Sequence, residues 1–199
     1  MRSMSMPQTK QFPMKADDHK RPYPLQGPYW NEDEAAELLR DLHAAFGSLE
    51  APAPERLVKR LPSQREEAAK IVEVCAGKRW SELSATELMP LVDFDFYVTE
   101  EGFPVLVAAF LHQAIVAPSG PEALRSELES RLLFAIDPYR VASAASDKHV
   151  SETHRRLRAL SPAQLGVLRR FMELTHRHKT NPPWPESAGG RFWASLPVD

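Results

Sequence analysis

The most apolar stretch of the chain places the first limit on its fold. It runs from Phe103 to Ala117 and ends before Pro118, with His112 and Gln113 inside it. A helix needs about 20 predominantly apolar residues to cross a bilayer, so this stretch is too short to span one. Because its side chains must still leave water, it predicts the central helix of a protein core, with His112 and Gln113 at the margin.

Helix start and stop signals recur on both sides of this segment. Gly47, Gly77 and Pro90 suit the ends of the first three helices, and Pro121 suits the first turn of the helix after the apolar one. Four pairs have the spacing of a capping box, in which two side chains satisfy free N–H groups at a helix start: Asn31 with Glu34, Ser63 with Glu66, Ser84 with Glu87, and Ser161 with Gln164.

These signals predict an all-α protein, a compact single-domain bundle of about five to seven helices over residues 30–180. Residues 1–29 are rich in proline and polar side chains, so we expect a flexible N-terminal arm. Residues 181–199 hold several prolines together with Trp184 and Trp193. We expect an irregular tail there that packs on the domain or on a partner.

The segment from Val92 to Tyr97 alternates polar and apolar residues. An extended backbone would place Phe94 and Phe96 on one side and both Asp93 and Asp95 on the other. Paired carboxylates can hold Mg²⁺ or Mn²⁺, or share acid and base work, which suggests a metal-dependent enzyme with His112 nearby. The alternative is a solvated acidic edge opposite the two phenylalanines.

Charge is distributed unevenly along the chain. Residues 80–124 contain seven acids and neither lysine nor arginine, whereas residues 148–179 contain eight bases and two acids. Six arginines form a candidate basic patch: Arg155, Arg156, Arg158, Arg169, Arg170 and Arg177. The patch could follow a nucleic-acid backbone, but no aromatic residues alternate with it and the acidic half offers an internal partner. A bipolar surface that steers a protein partner is the favoured interpretation.

Several common sites have no counterpart in the sequence. Neither a glycine-rich phosphate loop nor an H-E-x-x-H zinc motif occurs, so no cofactor is predicted. Cys75 lies on the apolar side of a predicted helix and is interpreted as a buried, inert thiol. One cysteine excludes an intramolecular disulfide, and no apolar run follows the first basic residues as in a secretory signal. These features predict a cytoplasmic protein.

Parts of the chain resemble an uncharacterised bacterial family, catalogued only as a domain of unknown function. The resemblance rests on a W-x-E-L motif at Trp80–Leu83, on E-G-F at Glu101–Phe103 and on an apolar A-F-L at Ala109–Leu111. An early helix ending at Phe46 and a late helix start near Ser161 extend it over about residues 35–178. The resemblance implies a compact helical bacterial protein and brings no catalytic residues.

The favoured function is therefore a non-catalytic protein–protein interaction module, with immunity or antitoxin proteins as its specific form and a toxin as the partner. A metal-dependent enzyme using Asp93 and Asp95 and a nucleic-acid-binding protein are the alternatives. The expected contact surface combines acidic residues with aromatic anchors. Its candidate residues are Glu82, Glu87, Asp93, Asp95, Phe96, Tyr97, Glu100, Glu101, Trp184 and Trp193.

Overall fold

The computed structural model describes residues 30–59, 65–116, 123–139, 147–177 and 186–197. These ranges contain ten α-helices and one 3₁₀ turn at Trp80–Glu82. The helices are α1 (Glu32–Phe46), α2 (Pro54–Leu57), α3 (Arg65–Cys75), α4 (Ala85–Leu88), α5 (Phe94–Tyr97), α6 (Phe103–Val116), α7 (Ala123–Ile136), α8 (Asp147–Leu157), α9 (Pro162–His176) and α10 (Ala188–Ala194). The described ranges contain no strand, only isolated bridges between Glu50 and Arg79 and between Val58 and Val98.

The predicted mostly α-helical class is confirmed, although the helices are more numerous than expected. The additional elements are short, since α2, α4 and α5 are single turns of four residues each. The arm predicted at residues 1–29, the cap at Ser63 and the helix start at Pro121 lie outside the described residues.

Helix α6 is the centre of the core, as the apolar stretch predicted. Ten of its 14 residues are buried. It packs against α1, α4, α7 and the 3₁₀ turn, so neighbouring elements cover most sides of the helix. His112 and Gln113 are half-buried at its margin. Among the described helices, none has the combined length and apolarity that a membrane crossing requires.

The predicted capping boxes form at three helices. In α1 the Asn31 carboxamide oxygen accepts from the Glu34 N–H at 2.9 Å, and Glu34 accepts from the Asn31 N–H at 3.0 Å. The same reciprocal pair occurs at Ser84 before α4 and at Ser161 before α9. Gly47 ends α1 with a φ of 51°, a left-handed conformation that glycine adopts without steric cost.

Trp80, from the W-x-E-L motif, ties α1 to α6. Its ring is fully buried, and its Nε1 donates to the Gly47 carbonyl at 3.0 Å. Its ring also lies 5.5 Å from that of His112, centroid to centroid. Gln113 of α6 donates to the Leu83 carbonyl at 2.9 Å, so both ends of the motif are attached to the central helix.

The C-terminal segment differs from its prediction. Residues Ala188–Ala194 form α10, capped by Ser187, whose hydroxyl accepts from the Gly190 N–H at 3.0 Å. The prolines of this region stand at 182, 183, 185 and 197, which leaves the intervening residues free to become helical. Burial of Phe192 and Trp193 in the domain core compensates for two glycines with poor helix propensity. The sequence predicted packing on the domain or on a partner, and residues 186–197 pack on the domain.

Gly102, in the E-G-F motif, is where two segments approach most closely. The preceding turn docks on Leu57, whose carbonyl accepts from the Thr99 N–H at 3.0 Å. A Cβ built on Gly102 would lie 2.9 Å from the Leu57 Cδ1 and closer still to its carbonyl oxygen. Only glycine fits there without moving backbone.

We expect Gly102→Ala to lower the free energy of unfolding by about 1–3 kcal/mol, because the added methyl group must displace the Leu57 backbone. Urea denaturation followed by circular dichroism measures it. Gly77→Ala is the comparison, since that residue has a φ of 66° and open space around it, so only backbone strain of about 1 kcal/mol should result. Wild-type stability of Gly102→Ala would contradict the close approach.

Candidate interaction surface

The segment around α5 has a different conformation from its prediction. The extended backbone predicted for Val92–Tyr97 is wrong, because residues 94–97 form one helical turn. Asp93 precedes it in the left-handed region, with a φ of 53° and a ψ of 32°. Phe94 stacks on Phe110 in the core, with ring centroids 4.6 Å apart. The turn therefore sends Asp95 inward with Phe94, while Asp93 and Phe96 face solvent, so the two carboxylates do not share a side.

Asp95 forms a buried ion pair with Arg156 of α8. Both side chains are 1% exposed, and Arg156 Nη1 donates to Asp95 Oδ2. The Nε of Arg156 lies 3.6 Å from a Glu152 oxygen, but its Nε and Nη2 have no hydrogen-bond acceptor among the described residues. Burial raises the pKa of Asp95 above its ordinary value, and the attraction of Arg156 offsets only part of that rise.

Phe96 lies directly over this pair. The guanidinium carbon of Arg156 is 5.7 Å from the centroid of the Phe96 ring, a cation–π geometry. The ring also contacts Phe134 of α7 at 6.3 Å between centroids. Even so, Phe96 is 42% exposed, and Val92 beside it is 53% exposed.

The predicted basic patch is not a continuous surface. Arg156 is buried, and Arg169 donates to the Trp193 carbonyl at 2.6 Å. Three other arginines form ion pairs: Arg155 with Glu100 and Glu152, Arg170 with Glu37 and Asp41, and Arg177 with Glu34. Of these acids, only Glu152 lies on the same helix as its partner. Arg158 is exposed and has no ion pair within the described part of the chain. These arginines mainly connect one segment of the fold to another. Arg155 and Arg156 do so through Glu100 and Asp95, two of the acids of residues 80–124 that the sequence suggested as internal partners.

The predicted contact residues separate into two groups. Most of the exposed or half-buried acids are already engaged: Glu82 accepts from the Arg79 N–H, Glu87 pairs with Lys78, Glu100 with Arg155 and Glu101 with Arg56. Asp95 and Trp193 are buried and are not part of the surface, while Trp184 lies outside the described residues. Asp93, Phe96 and the half-buried Tyr97 remain together at one place.

Beside them lies a groove that the sequence did not indicate. It has a volume of about 160 Å³ and is lined by Glu67, Lys70, Ile71, Pro90, Leu91 and Val92. We call the groove together with Asp93, Phe96 and Tyr97 the α5 face. Sequence pattern alone missed it because the groove arises where α3 meets residues 90–92, which are distant from α3 in the sequence.

The α5 face is acidic. The pKa of Tyr97 is raised above its ordinary value, first by burial and then by the negative charges of Glu67, Asp93 and Asp95. Neither Glu67 nor Asp93 forms an ion pair with any side chain that the structure describes. Their charges therefore remain available beside the exposed apolar side chains.

Other polar groups in the described residues lack the arrangement of a metal or catalytic site. His43 and His112 lie 5.8 Å apart, and burial followed by the nearby His43 lowers the pKa of His112. Within the described ranges, no three His, Cys, Asp or Glu side chains are grouped to hold a metal ion.

Burial raises the pKa of the Cys75 thiol to about 12, which makes a thiolate nucleophile unfavourable there. An open cleft of about 380 Å³ next to His154 and Arg158 is lined in part by Arg155 and Glu100, which pair with each other.

Comparison with known proteins adds no relative. The chain matches no family model, no curated protein and no solved structure. The resemblance to the bacterial family stays a prediction from the motifs.

We expect Arg156→Met to lower the free energy of unfolding by about 3–5 kcal/mol, because it leaves the Asp95 carboxylate buried without a counter-charge. The double variant Asp95→Leu/Arg156→Met should recover most of that loss, since apolar side chains replace the whole pair. Urea denaturation of the three proteins measures both effects. Arg40→Met, at an exposed position, is the control and should change stability by less than about 0.5 kcal/mol. A double variant as unstable as the single one would count against this description.

Glu152 should give the protein a measurable pH dependence. The hydrogen bond from Arg155, with the charges of Arg155, Lys59 and Arg156, lowers its pKa from 4.5 to about 2. A carboxylate with a lowered folded pKa stabilises the fold above the unfolded pKa and loses that effect as pH falls through the folded value. We therefore expect Glu152→Gln to be less stable than wild type at pH 6, with the difference shrinking between about pH 4.5 and pH 2.

Urea titrations at several pH values measure this change. Glu173→Gln, at an exposed position on α9, is the matched control and should stay close to wild type throughout. A difference between wild type and Glu152→Gln that is constant from pH 6 to pH 2 would exclude the ion pairs of Glu152 as its source.

Proposed function

We propose that this chain is a non-catalytic protein–protein interaction module and that the α5 face is its contact surface. The observation that carries the proposal is the inverted burial of two consecutive residues. Asp95 is inside and Phe96 is outside, although the reverse arrangement would place each side chain in its preferred environment. Local conflict between burial and chemistry is concentrated at functional sites in natural proteins.

The energetics of the buried ion pair between Asp95 and Arg156 support the same contact surface. A buried ion pair rarely stabilises a fold more than apolar side chains of similar size would, because both ions lose their hydration. Here Arg156 additionally keeps two polar atoms without hydrogen bonds to described residues. The part of the Phe96 ring that is exposed gains nothing from the hydrophobic effect until something covers it. Folding stability alone therefore explains the arrangement poorly, which supports recognition by a partner as the reason for it.

Backbone strain adds a further argument. Asp93 holds a positive φ, which costs most residues other than glycine about 1 kcal/mol or more and costs aspartate less. In that conformation the chain turns at Asp93, and both Val92 before it and Phe96 after it in the sequence face solvent. Strain of this kind persists where the surrounding structure imposes it, and it clusters at binding and catalytic sites.

An immunity or antitoxin role is the specific form of the proposal, with a toxin as the partner and the cytoplasm as its location. It is supported by the acidity of the α5 face and by the exposed aromatic residue Phe96 on that face. Exposed aromatic side chains supply much of the energy of protein interfaces, and complementary charge supplies encounter rate and selectivity.

The test is quantitative capture from native cells with tagged wild type, Phe96→Ser, Val92→Ser and Val116→Ser. Val116 is the matched control, since it is 40% exposed but lies at the end of α6. We expect a partner that wild type and Val116→Ser recover equally and that both α5-face variants recover at least about tenfold less, as for interface hot spots.

Circular dichroism and thermal unfolding establish that all four proteins are folded to the same extent. Two variants on the face guard against a folding defect in one of them. Phe96 contacts Phe134 and Arg156, whereas Val92 is the more exposed of the two, so its replacement should disturb the fold less. Identical captured proteins with all four forms would overturn the α5 face as the contact surface.

A further inference from the structure

We propose that the α5 face receives a partner segment in which one apolar side chain stands next to a lysine or arginine. This inference rests on the proposed function and specifies the chemistry of what binds. The apolar side chain enters the groove between α3 and residues 90–92, and the cation lies between Glu67 and Asp93.

The groove has the size and lining for one apolar side chain. Its floor consists of Ile71 and Leu91, both buried in the domain core, and its rim includes Pro90 and Val92. The volume of about 160 Å³ is close to that of an engineered apolar cavity of about 150 Å³ that holds one benzene molecule. A leucine, methionine or phenylalanine side chain of a partner would fit, with Val92 beside it.

Charge complementarity favours a lysine or arginine next to the partner's apolar side chain. Of the charged side chains that the structure describes, Glu67 and Lys70 line the groove, and Asp93 follows Val92 on its other wall. Two acids against one base leave these three side chains with a net charge of −1 (1 − 2). The raised pKa of Tyr97 agrees with this negative potential, since Glu67 and Asp93 both contribute to it. A partner cation placed here meets two carboxylates that form no ion pair with the described side chains, with Lys70 as the one base on the groove.

The same charges disfavour a second copy of this chain as the occupant. A two-fold symmetric dimer places the same surface patch on both sides of the interface. Glu67 and Asp93 of one copy would then face the acids of the other, and like charges at an interface oppose association. The acidic groove fits a basic partner better than it fits itself.

The experiment uses ¹⁵N-labelled protein and three short probes at millimolar concentration: acetyl-Lys-Leu-Lys-amide, acetyl-Glu-Leu-Glu-amide and acetyl-Lys-Ser-Lys-amide. We expect the first probe to shift the amide resonances of Ile71, Leu91, Val92 and Phe96. Its affinity should exceed that of the other two by at least about threefold, as expected for one or two solvent-exposed charge pairs and one buried side chain.

The double variant Glu67→Gln/Asp93→Asn should lose the preference for the basic probe, while Glu32→Gln/Asp33→Asn on α1 should retain it. Equal shifts with the acidic probe, or shifts centred on other residues, would overturn the inference. If capture from cells depends on Phe96 while these probes show no preference, the partner chemistry is wrong and the interaction function stands. If neither experiment involves the α5 face, both proposals fail.

Discussion

The buried ion pair between Asp95 and Arg156 determines how the surface of this protein is arranged. It joins the single turn α5 to α8, two elements 61 residues apart in sequence. Because Phe94 and Asp95 both point inward, the rotation of about 100° per residue in a helix places Phe96 on the opposite, outward side of α5. The guanidinium under the Phe96 ring then supports the ring from below. The exposed aromatic residue is thus a consequence of a polar contact in the core.

The same arginine belongs to a chain of charges that holds α8 in place. Glu152 lies 3.6 Å from Arg156 and 2.7 Å from Arg155, and Lys59 lies 3.5 Å from Glu152. Arg155 reaches further to Glu100, in the turn that begins α6. Each exposed pair contributes little alone, but together they fix α8 relative to the central helix. Much of the charge asymmetry of the sequence is therefore used inside the fold.

The sequence predicted the parts of the fold that local chemistry decides. Capping pairs at Asn31, Ser84 and Ser161 depend on residues three apart, and the position of α6 follows from its composition. The conformation of α5 could not be predicted in this way, because its alternating residues fit a strand as well as a helical turn. What decides between them is Arg156, a distant residue whose sequence neighbours suggested an exposed basic patch. The groove beside Val92 is likewise a product of packing between elements.

The pair and the exposed ring should also influence one another when the α5 face is covered. A partner that buries Phe96 removes water from above Arg156 and lowers the local dielectric constant. The attraction between Arg156 and Asp95 then strengthens, because charge interactions grow as solvent screening falls. A partner bound at Phe96 would therefore strengthen the attachment of α8 through the Arg156 guanidinium, so that the ion pair would stabilise the complex more than it stabilises the free protein.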